Sequence, residues 1–396
     1  MKKIMILGAS ILQLPGIKKA KEMGLSVVAV DMDKNAVGFK EDIEKEVIST
    51  IDIPAVIEAA KRHKVDGVIT LASDMPMRTV AAVAEELKIP GVSKTTALRA
   101  TDKAEMVKCL KAAGVPVPDF YVAENEEDYN TAVQKVKKPF IVKPTDNSGS
   151  RGVSFLDFDS SKEKINAAYF YGKEFSRNGN VLVEEFMRGP EVSVETMTAD
   201  GVCRVIQITD KLTTGAPHFV EMGHSQPTRL PLNVAEKIKQ TAIAANKAIG
   251  ITSGPSHTEI IVTEEGPKIV EIGARLGGDC ITTHLVPLST GVDMVECIIK
   301  TALGETPDLT PKFNKGSAIR YLHQTPGVVK GIDGVTAASA VQGVKQISFP
   351  HGIGQQITEI DSSAARMGFV IADGETAAEA VKVCETALSL IKVTME

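Results

Sequence analysis

The sequence predicts an α/β protein built from successive units, and three observations carry that expectation. Residues 1–97 alternate short apolar runs with amphipathic stretches, which argues a parallel sheet with helices on both faces. The pattern changes near 98, just before the linker Gly114-Val-Pro-Val-Pro118. The stretch 257–279, HTEIIVTEEGPKIVEIGARLGGD, reads as a β-hairpin that sets two glutamates against each other. At 396 residues the chain has room for two or three domains of roughly 100–200 residues each.

In chain order, Lys3–Leu7 is a short buried strand, Leu14–Met23 a helix ending at Gly24, and Ser26–Val30 a second strand. Ile53–His63 is a helix, Gly67–Leu71 a third strand, and Met77–Leu87 a helix before Pro90. Gly8 and Asp31 follow the first two strands, as in a dinucleotide site. The loop from Gly8 to Gln13 has only one fingerprint glycine, so a plain strand-to-helix turn is the better reading. Thr101-Asp102-Lys103 opens a helix to Ala113. Phe140-Ile-Val-Lys143-Pro144 is an apolar strand with one lysine in it, followed by the loop 145–152, strand Val153–Leu156 and helix Lys162–Tyr171. Val181–Phe186 and Glu191–Met197 are strands interrupted by Met187-Arg-Gly-Pro190. Lys211–Pro231, with His218 and His224, reads as a long loop, and helix Val234–Ile249 leads into the hairpin. Helix Asp293–Leu303 closes the middle region. Residues 306–396 hold strands Ser317–Leu322, Val328–Gly331 and Val344–Ser348 and a last helix, Ala377–Ile391.

In the hairpin, a register centred on Glu265 places Ile261 opposite Ile269 and Glu259 opposite Glu271. Two carboxylates directly opposite repel. A divalent cation between them removes the conflict, and such oxygen donors suit Mg²⁺ or Mn²⁺. Arg275, Gly277 and Gly278 follow at once, a combination that points to phosphate chemistry on a metal. A surface hairpin with incidental glutamates is the competing reading.

Other features sharpen the first reading. No GxxxxGK[ST] occurs, so a P-loop is excluded. The loop Asp146-Asn-Ser-Gly-Ser-Arg-Gly152 could instead cradle an anion, with amides freed by Gly149 and Gly152 and hydroxyls from Ser148 and Ser150; an ordinary hairpin turn fits equally well. Lys143 in an apolar strand needs an anion partner or a route to the sheet edge. Glu184 and Glu185 at a strand end are either solvated charges or acceptors for an adenine amino group, with Glu191 within reach of a ribose hydroxyl. His224 is a candidate phosphate or substrate contact, whereas His257 reads as structural.

Composition excludes several classes. The hydrophobic share is 43%, the charged share 24% and the net charge −5, with no Trp and no basic run, so there is no nucleic-acid footprint. The five cysteines are scattered without CxxC spacing, which predicts reduced thiols and a cytoplasmic location. The start lacks a cleavage site and reads as strand, turn and helix, and no run has the length to span a membrane.

Taken together, Thr-Asp-Lys103, Phe-Ile-Val-Lys143-Pro with its Gly/Ser loop, Val-Glu184-Glu185-Phe with Gly-Pro-Glu191, Glu259, and Glu271-Ile-Gly-Ala-Arg275-Leu-Gly-Gly resemble the ATP-grasp carboxylate–amine ligases. The L-amino-acid ligases that make dipeptides, with the Gly-His224 loop and the Ala-Arg-Leu-Gly-Gly ending, are the nearest in pattern. Phosphoribosylglycinamide synthetases and the biotin-carboxylase type follow. The resemblance implies a Rossmann-like N-terminal domain (1–97), an ATP-grasp domain (98–305) with a lid at about 115–187, and an α+β C-terminal unit (306–396). It implies that Lys103 and Lys143 contact ATP phosphates and that Ser148, Gly149 and Ser150 belong to the lid loop. Glu184, Glu185 and Met187 would form the adenine hinge, Glu191 the ribose contact, Glu259 and Glu271 the Mg²⁺ ligands, and Arg275 the support of an acyl phosphate, with Lys143 assisting catalysis. One departure stands out: many members carry Asn two residues after the second metal glutamate, where this chain has Gly273. The expected activity is ATP- and Mg²⁺-dependent C–N bond formation between a small carboxylate and an amine. Phosphoribosylglycinamide synthesis, a carboxylase-type reaction and a non-catalytic ATP-binding module are the rival readings. Proteins of this kind are usually homodimers.

Overall fold

The α/β class is what the computed structural model shows; it describes residues 1–147, 149 and 151–396. The first sheet is parallel, in the order β3-β2-β1-β4, from β1 (Lys3–Leu7), β2 (Ser26–Val30), β3 (Glu44–Glu46) and β4 (Gly67–Ile69). Helices Leu14–Glu22, Ile53–His63 and Met77–Leu87 lie where periodicity and caps put them; Asp52, for example, accepts the Ala55 amide at the start of the second. Asp31 is used inside the fold: its carboxylate accepts the amides of Ala9 and Asp33 at 2.8 and 3.0 Å and so pins the β1 turn.

A second, antiparallel sheet in the order β5-β8-β6-β7 comprises β5 (Phe120–Ala123), β6 (Phe140–Pro144), β7 (Ser154–Leu156) and β8 (Val181–Glu185). It has a small core of its own around Tyr129, Phe140, Leu156 and Tyr169. The main sheet begins with β9 (Glu191–Ala199), β10 (Val202–Thr213), β11 (Glu221–Gln226), β12 (Gly254–Thr263) and β13 (Gly266–Gly273). The remaining strands are β14 (Gly316–Tyr321), β15 (Gly327–Asp333), β16 (Val344–Ser348), β17 (Gln356–Ile357), β18 (Phe369–Gly374) and β19 (Lys392–Met395). Three of these extend the main sheet, whose order is β13-β12-β9-β10-β11-β14-β18-β16; β15, β17 and β19 make a separate small sheet. The last ninety or so residues therefore continue the central sheet, with helix Ala377–Leu390 packed over it.

The predicted long loop Lys211–Pro231 is corrected. Two stretches of it are paired strand: Lys211–Thr213 ends β10 and Glu221–Gln226 is β11, with Lys211 opposite His224, and residues 214–220 make the connection between them. These strands look polar because their buried polar groups have partners; fully buried Gln226 donates to Thr209 at 2.8 Å and accepts from Ser289 at 2.9 Å.

One apolar cluster runs from Met5, Leu7 and Val28 through to Ile260, Ile269 and Ile272, so the N-terminal sheet and the hairpin share a core. Lys19 also reaches Asp293, the cap of helix Met294–Ala302, at 3.0 Å. This packing places the loop after β4 over the end of β13. Among the described residues, no helix is long and apolar enough to cross a membrane.

Candidate active site

Glu259 and Glu271 are directly opposite on β12 and β13, as the alternation predicts. The rest of the register differs. The turn is the two residues Glu264 and Glu265, so Ile260, not Ile261, faces Ile269. A bulge between Glu259 and Ile260 then absorbs one extra residue of β13 and restores the glutamate pair. The carboxylates are each countered by a lysine from another element. Lys103, first residue of helix Lys103–Ala112, reaches Glu271 at 3.0 Å and the Asn147 carbonyl at 2.7 Å. Lys211 reaches Glu259 at 3.1 Å, Glu191 at 2.5 Å and Glu221 at 3.6 Å, with its side chain only 3% exposed. Burial disfavours charge on Glu259, but Lys211 and His257 outweigh it and hold the carboxyl well below its usual range.

His257 is a stronger group than its structural reading implied. Its Nδ1 lies 2.6 Å from the fully buried Glu195 and its Nε2 3.3 Å from Glu259. Burial lowers its pKa, yet the Glu195 carboxylate overrides this and lifts it to about 9. A folded pKa above the ordinary 6.5 stabilises the fold fully below pH 6.5, and that contribution is lost as pH rises through about 9. The melting temperature of the wild type should therefore fall more between pH 6.5 and 9 than that of His257→Asn, by a difference worth up to about 3 kcal/mol. Parallel pH profiles for the two proteins would show that His257 carries no such charge.

In the second sheet, Lys143 on β6 and Glu184 on β8 are diagonal neighbours and pair at 2.6 Å, both nearly buried. Glu184 Oε1 is buried without a hydrogen-bond partner, an acceptor aimed at nothing within the protein. Glu185 behaves differently: it accepts the Asp119 amide at 3.3 Å, lies 3.6 Å from Lys268 and stays half-exposed. Met187 is buried beyond the strand end, and Glu191 opens β9 opposite Ile261. In the Gly/Ser loop, Gly149 has φ +70° and Gly152 φ +77°; a side chain on Gly152 would strike Phe175 and Pro144. Ser148 and Ser150 lie outside the described residues.

His224 belongs to β11 and not to a loop. Its Nε2 lies 3.2 Å from Asp279, which also takes both arms of Arg366 at 2.7 Å. Arg366 stacks on Tyr321, 3.8 Å from the ring centre. The segment before β18 thus reaches the glycine turn after β13. Arg275 pairs with Asp74, at 2.8 and 3.1 Å, in the loop after β4. Asp74, Lys103, Asn147, Arg177 and Glu271 line a cavity of about 380 Å³.

These donors fit a nucleotide with a hard cation. Two opposed carboxylates supply part of an oxygen shell, and among the described residues no third acidic, His or Cys group completes a cage, so phosphate and water oxygens would supply the rest. The orphaned Glu184 oxygen fits an amino-group donor. Sequence reasoning missed Lys211, Glu195, Asp74, Asp279 and Arg366. Alternation in Val202–Thr213 puts Lys211 on the face of Gln207, Thr209 and Thr213, opposite Ile206 and Ile208, so it reads as a solvated lysine; none of the five carries a local signal.

Residues 136–283 match the model of the ATP-grasp domain, and residues 320–396 match that of the L-amino acid ligase C-terminal domain 2. The chain is 25% identical over 345 residues to alanine–anticapsin ligase of Bacillus subtilis (strain 168), covering 81% of this chain and 71% of that one. It is 24% identical over 373 residues to phosphoribosylamine–glycine ligase of Methanococcus maripaludis (strain C7 / ATCC BAA-1331), covering 87% and 83%. In fold it is similar to the crystal structure of L-amino acid ligase from Bacillus licheniformis, with a TM-score of 0.85, 23% identity and coverage of 100% and 99%.

Proposed function

Because the chain is an ATP-grasp ligase, related to L-amino acid ligases and to phosphoribosylamine–glycine ligase, we propose that it joins an amino-acid carboxylate to the amine of a second small molecule through an acyl phosphate. The observation that carries this reading is the Glu259–Glu271 pair, set between Lys103 and Lys211 and followed at once by Arg275. ATP-grasp enzymes bind ATP with Mg²⁺. Glu259 and Glu271 would hold the cation here, which neutralises phosphate oxygens when bound. Glu184 Oε1 accepts from the adenine amino group, Glu185 and Met187 border the base, and Glu191 takes a ribose hydroxyl. Lys143, held on Glu184, and Lys103 turn their remaining N–H donors to the phosphates, and Gly149 lets the lid backbone approach them. Arg275 presents its guanidinium to the γ-phosphoryl group as the substrate carboxylate attacks, and the amine then displaces phosphate. His224, beside Asp279, faces the substrate side and not the phosphates. The lid region (about 115–187), the N-terminal domain (1–97) and the remainder of 98–305 close the cleft, which keeps water from the acyl phosphate. The match at 320–396 is what favours amino acids over other acids.

The test is ADP release by purified protein with Mg²⁺, ATP and amino acids singly and in pairs. Release that needs both an acid and an amine supports the reading. Release only with 5-phosphoribosylamine plus glycine would move the chain to glycinamide ribonucleotide synthesis, a reading that the similarity to phosphoribosylamine–glycine ligase keeps in view. ATP binding with no release for any pair would make it a binding module.

The nucleotide end has its own test. Lys143→Gln keeps an N–H for Glu184 but removes the charge. It should weaken ATP about tenfold or more, the worth of a charge-assisted hydrogen bond, and adenosine by less than about threefold. Calorimetry with both ligands measures this, and equal weakening would place Lys143 in the fold alone.

A further inference from the structure

Arg275 and Asp74 tie the loop after β4 to the segment after the hairpin by a two-point contact. Asp74 sits in the loop between β4 and helix Met77–Leu87, and its carbonyl accepts the Met77 amide at 3.0 Å. Its carboxylate takes Arg275 Nε at 2.8 Å and Nη2 at 3.1 Å, while Nη1 donates to the Leu276 carbonyl at 3.2 Å. Both side chains are largely buried, at 13% and 15% exposure. A guanidinium has five N–H donors in one plane. These contacts use the Nε/Nη2 edge and one Nη1 hydrogen, which fixes the plane and leaves donors on the Nη1/Nη2 edge.

A second observation concerns Gly273. Its φ is not in the left-handed region, so ordinary strand backbone does not demand glycine there. Space does: a Cβ on Gly273 would lie 2.9 Å from Asp74 Oδ1 and 3.4 Å from Arg275 Nε. The glycine admits the Asp74 carboxylate to the end of β13, one residue beyond Ile272 and beside the second metal-site glutamate. Asp74 also lines the cavity that Lys103 and Glu271 share.

We propose that Asp74 is a positioning residue for phosphoryl transfer: it reaches from the N-terminal sheet to hold the guanidinium of Arg275 with its outer edge toward the transferring group, and Gly273 is glycine to let it in. The inference rests on the role given to Arg275 above. It makes the N-terminal domain part of the catalytic apparatus and not only a platform beside it.

The test is a double-mutant cycle on the full chain, with Asp74→Ala, Gly273→Ala and the double variant. Gly273→Ala displaces Asp74 without removing any group. Each single variant should lower kcat about tenfold or more through misplacement of Arg275, with ATP Kd unchanged within about twofold. The double variant should be no worse than Asp74→Ala alone, because both changes break one contact. Asp74→Asn, which keeps one acceptor oxygen, should recover part of the rate. In ¹⁵N spectra the Arg275 Nε–H should exchange slowly in the wild type and quickly in both single variants. Multiplicative losses in the double variant overturn the proposal. So does a raised KM for the amine with kcat unchanged, which would make Asp74 an ammonium site. A fallen melting temperature with a proportionate rate loss would make it a domain tie. If the wild type releases no ADP with any acid–amine pair, the functional reading fails and this inference with it; ADP release indifferent to Asp74→Ala sinks this inference alone.

Discussion

Glu271→Gln should reduce turnover to below about 1% of the wild type at saturating Mg²⁺ while the fold persists. The substitution is isosteric and makes no cavity. It removes one of the two negative charges that face each other across β12 and β13. From opposed carboxylates alone, relief of repulsion would raise stability. The structure changes that expectation, because Lys103 already lies 3.0 Å from Glu271 and Lys211 3.1 Å from Glu259. With Glu271 neutral, Lys103 keeps the Asn147 carbonyl but loses its counter-charge. Melting temperature without Mg²⁺ should therefore be unchanged or slightly lower, and Mg²⁺ should no longer raise it in the presence of ATP. Titration of Mg²⁺ against melting temperature and ADP release reads both effects on one preparation. A variant with normal turnover, or one that Mg²⁺-ATP still stabilises as it does the wild type, removes Glu271 from the metal site.

Much of the scaffold was legible because its signals are local. Ile53–His63 and Met77–Leu87 have an apolar stripe with a stop signal, and their bounds agree with the structure to the residue. The strands β9 and β12 form where alternation puts them, and the hairpin keeps its Glu259–Glu271 pair although the rest of its register shifts at a bulge. The failures have a common cause. In β11, Glu221, His224 and Gln226 are inward-facing polar groups whose partners lie on β10, on the helix Val286–Thr290 or in the glycine turn, so the strand reads as a hydrophilic loop. Helix Glu126–Lys135 did have a legible start, Asn125 capping the Asp128 amide before three acids, and it went unread.

The site divides along the same line. Residues grouped in one local stretch, such as Glu259 and Glu271 on the two strands of the hairpin and Arg275 just after it, were readable as candidates. Their supports were not: Asp74 stands 201 positions before Arg275, and Arg366 87 positions after Asp279. Nothing in a local pattern announces such a partner; only the shared core of the N-terminal sheet and the hairpin brings Asp74 there. Gly273 shows what a missing side chain can do. It departs from a family pattern that carries Asn there, and in the structure its lack of a Cβ makes room for Asp74.

Arg275→Lys should lower kcat about 10²-fold or more and leave ATP Kd nearly unchanged, the pattern of an interaction made mainly in the transition state. The Arg275 plane is fixed by Asp74 on one edge and by the Leu276 carbonyl at Nη1, so donors on the other edge point in a set direction. A lysine keeps the charge and can still pair with Asp74. It cannot meet Asp74 with one edge and a phosphoryl oxygen with another, because its three donors radiate from a single atom. Asp279, the first acid after Arg275 in sequence, is occupied by Arg366 and His224. The structural alternative is therefore loss of the Asp74 contact, and the charge pair that the substituted lysine keeps with Asp74 limits that loss to about 1–2 kcal/mol. Measuring kcat, ATP Kd and melting temperature together separates the two. A large fall in kcat with melting within a few degrees of the wild type assigns Arg275 to the reacting phosphoryl group. A melting temperature that falls in step with the rate assigns it to the seam between the N-terminal sheet and the hairpin.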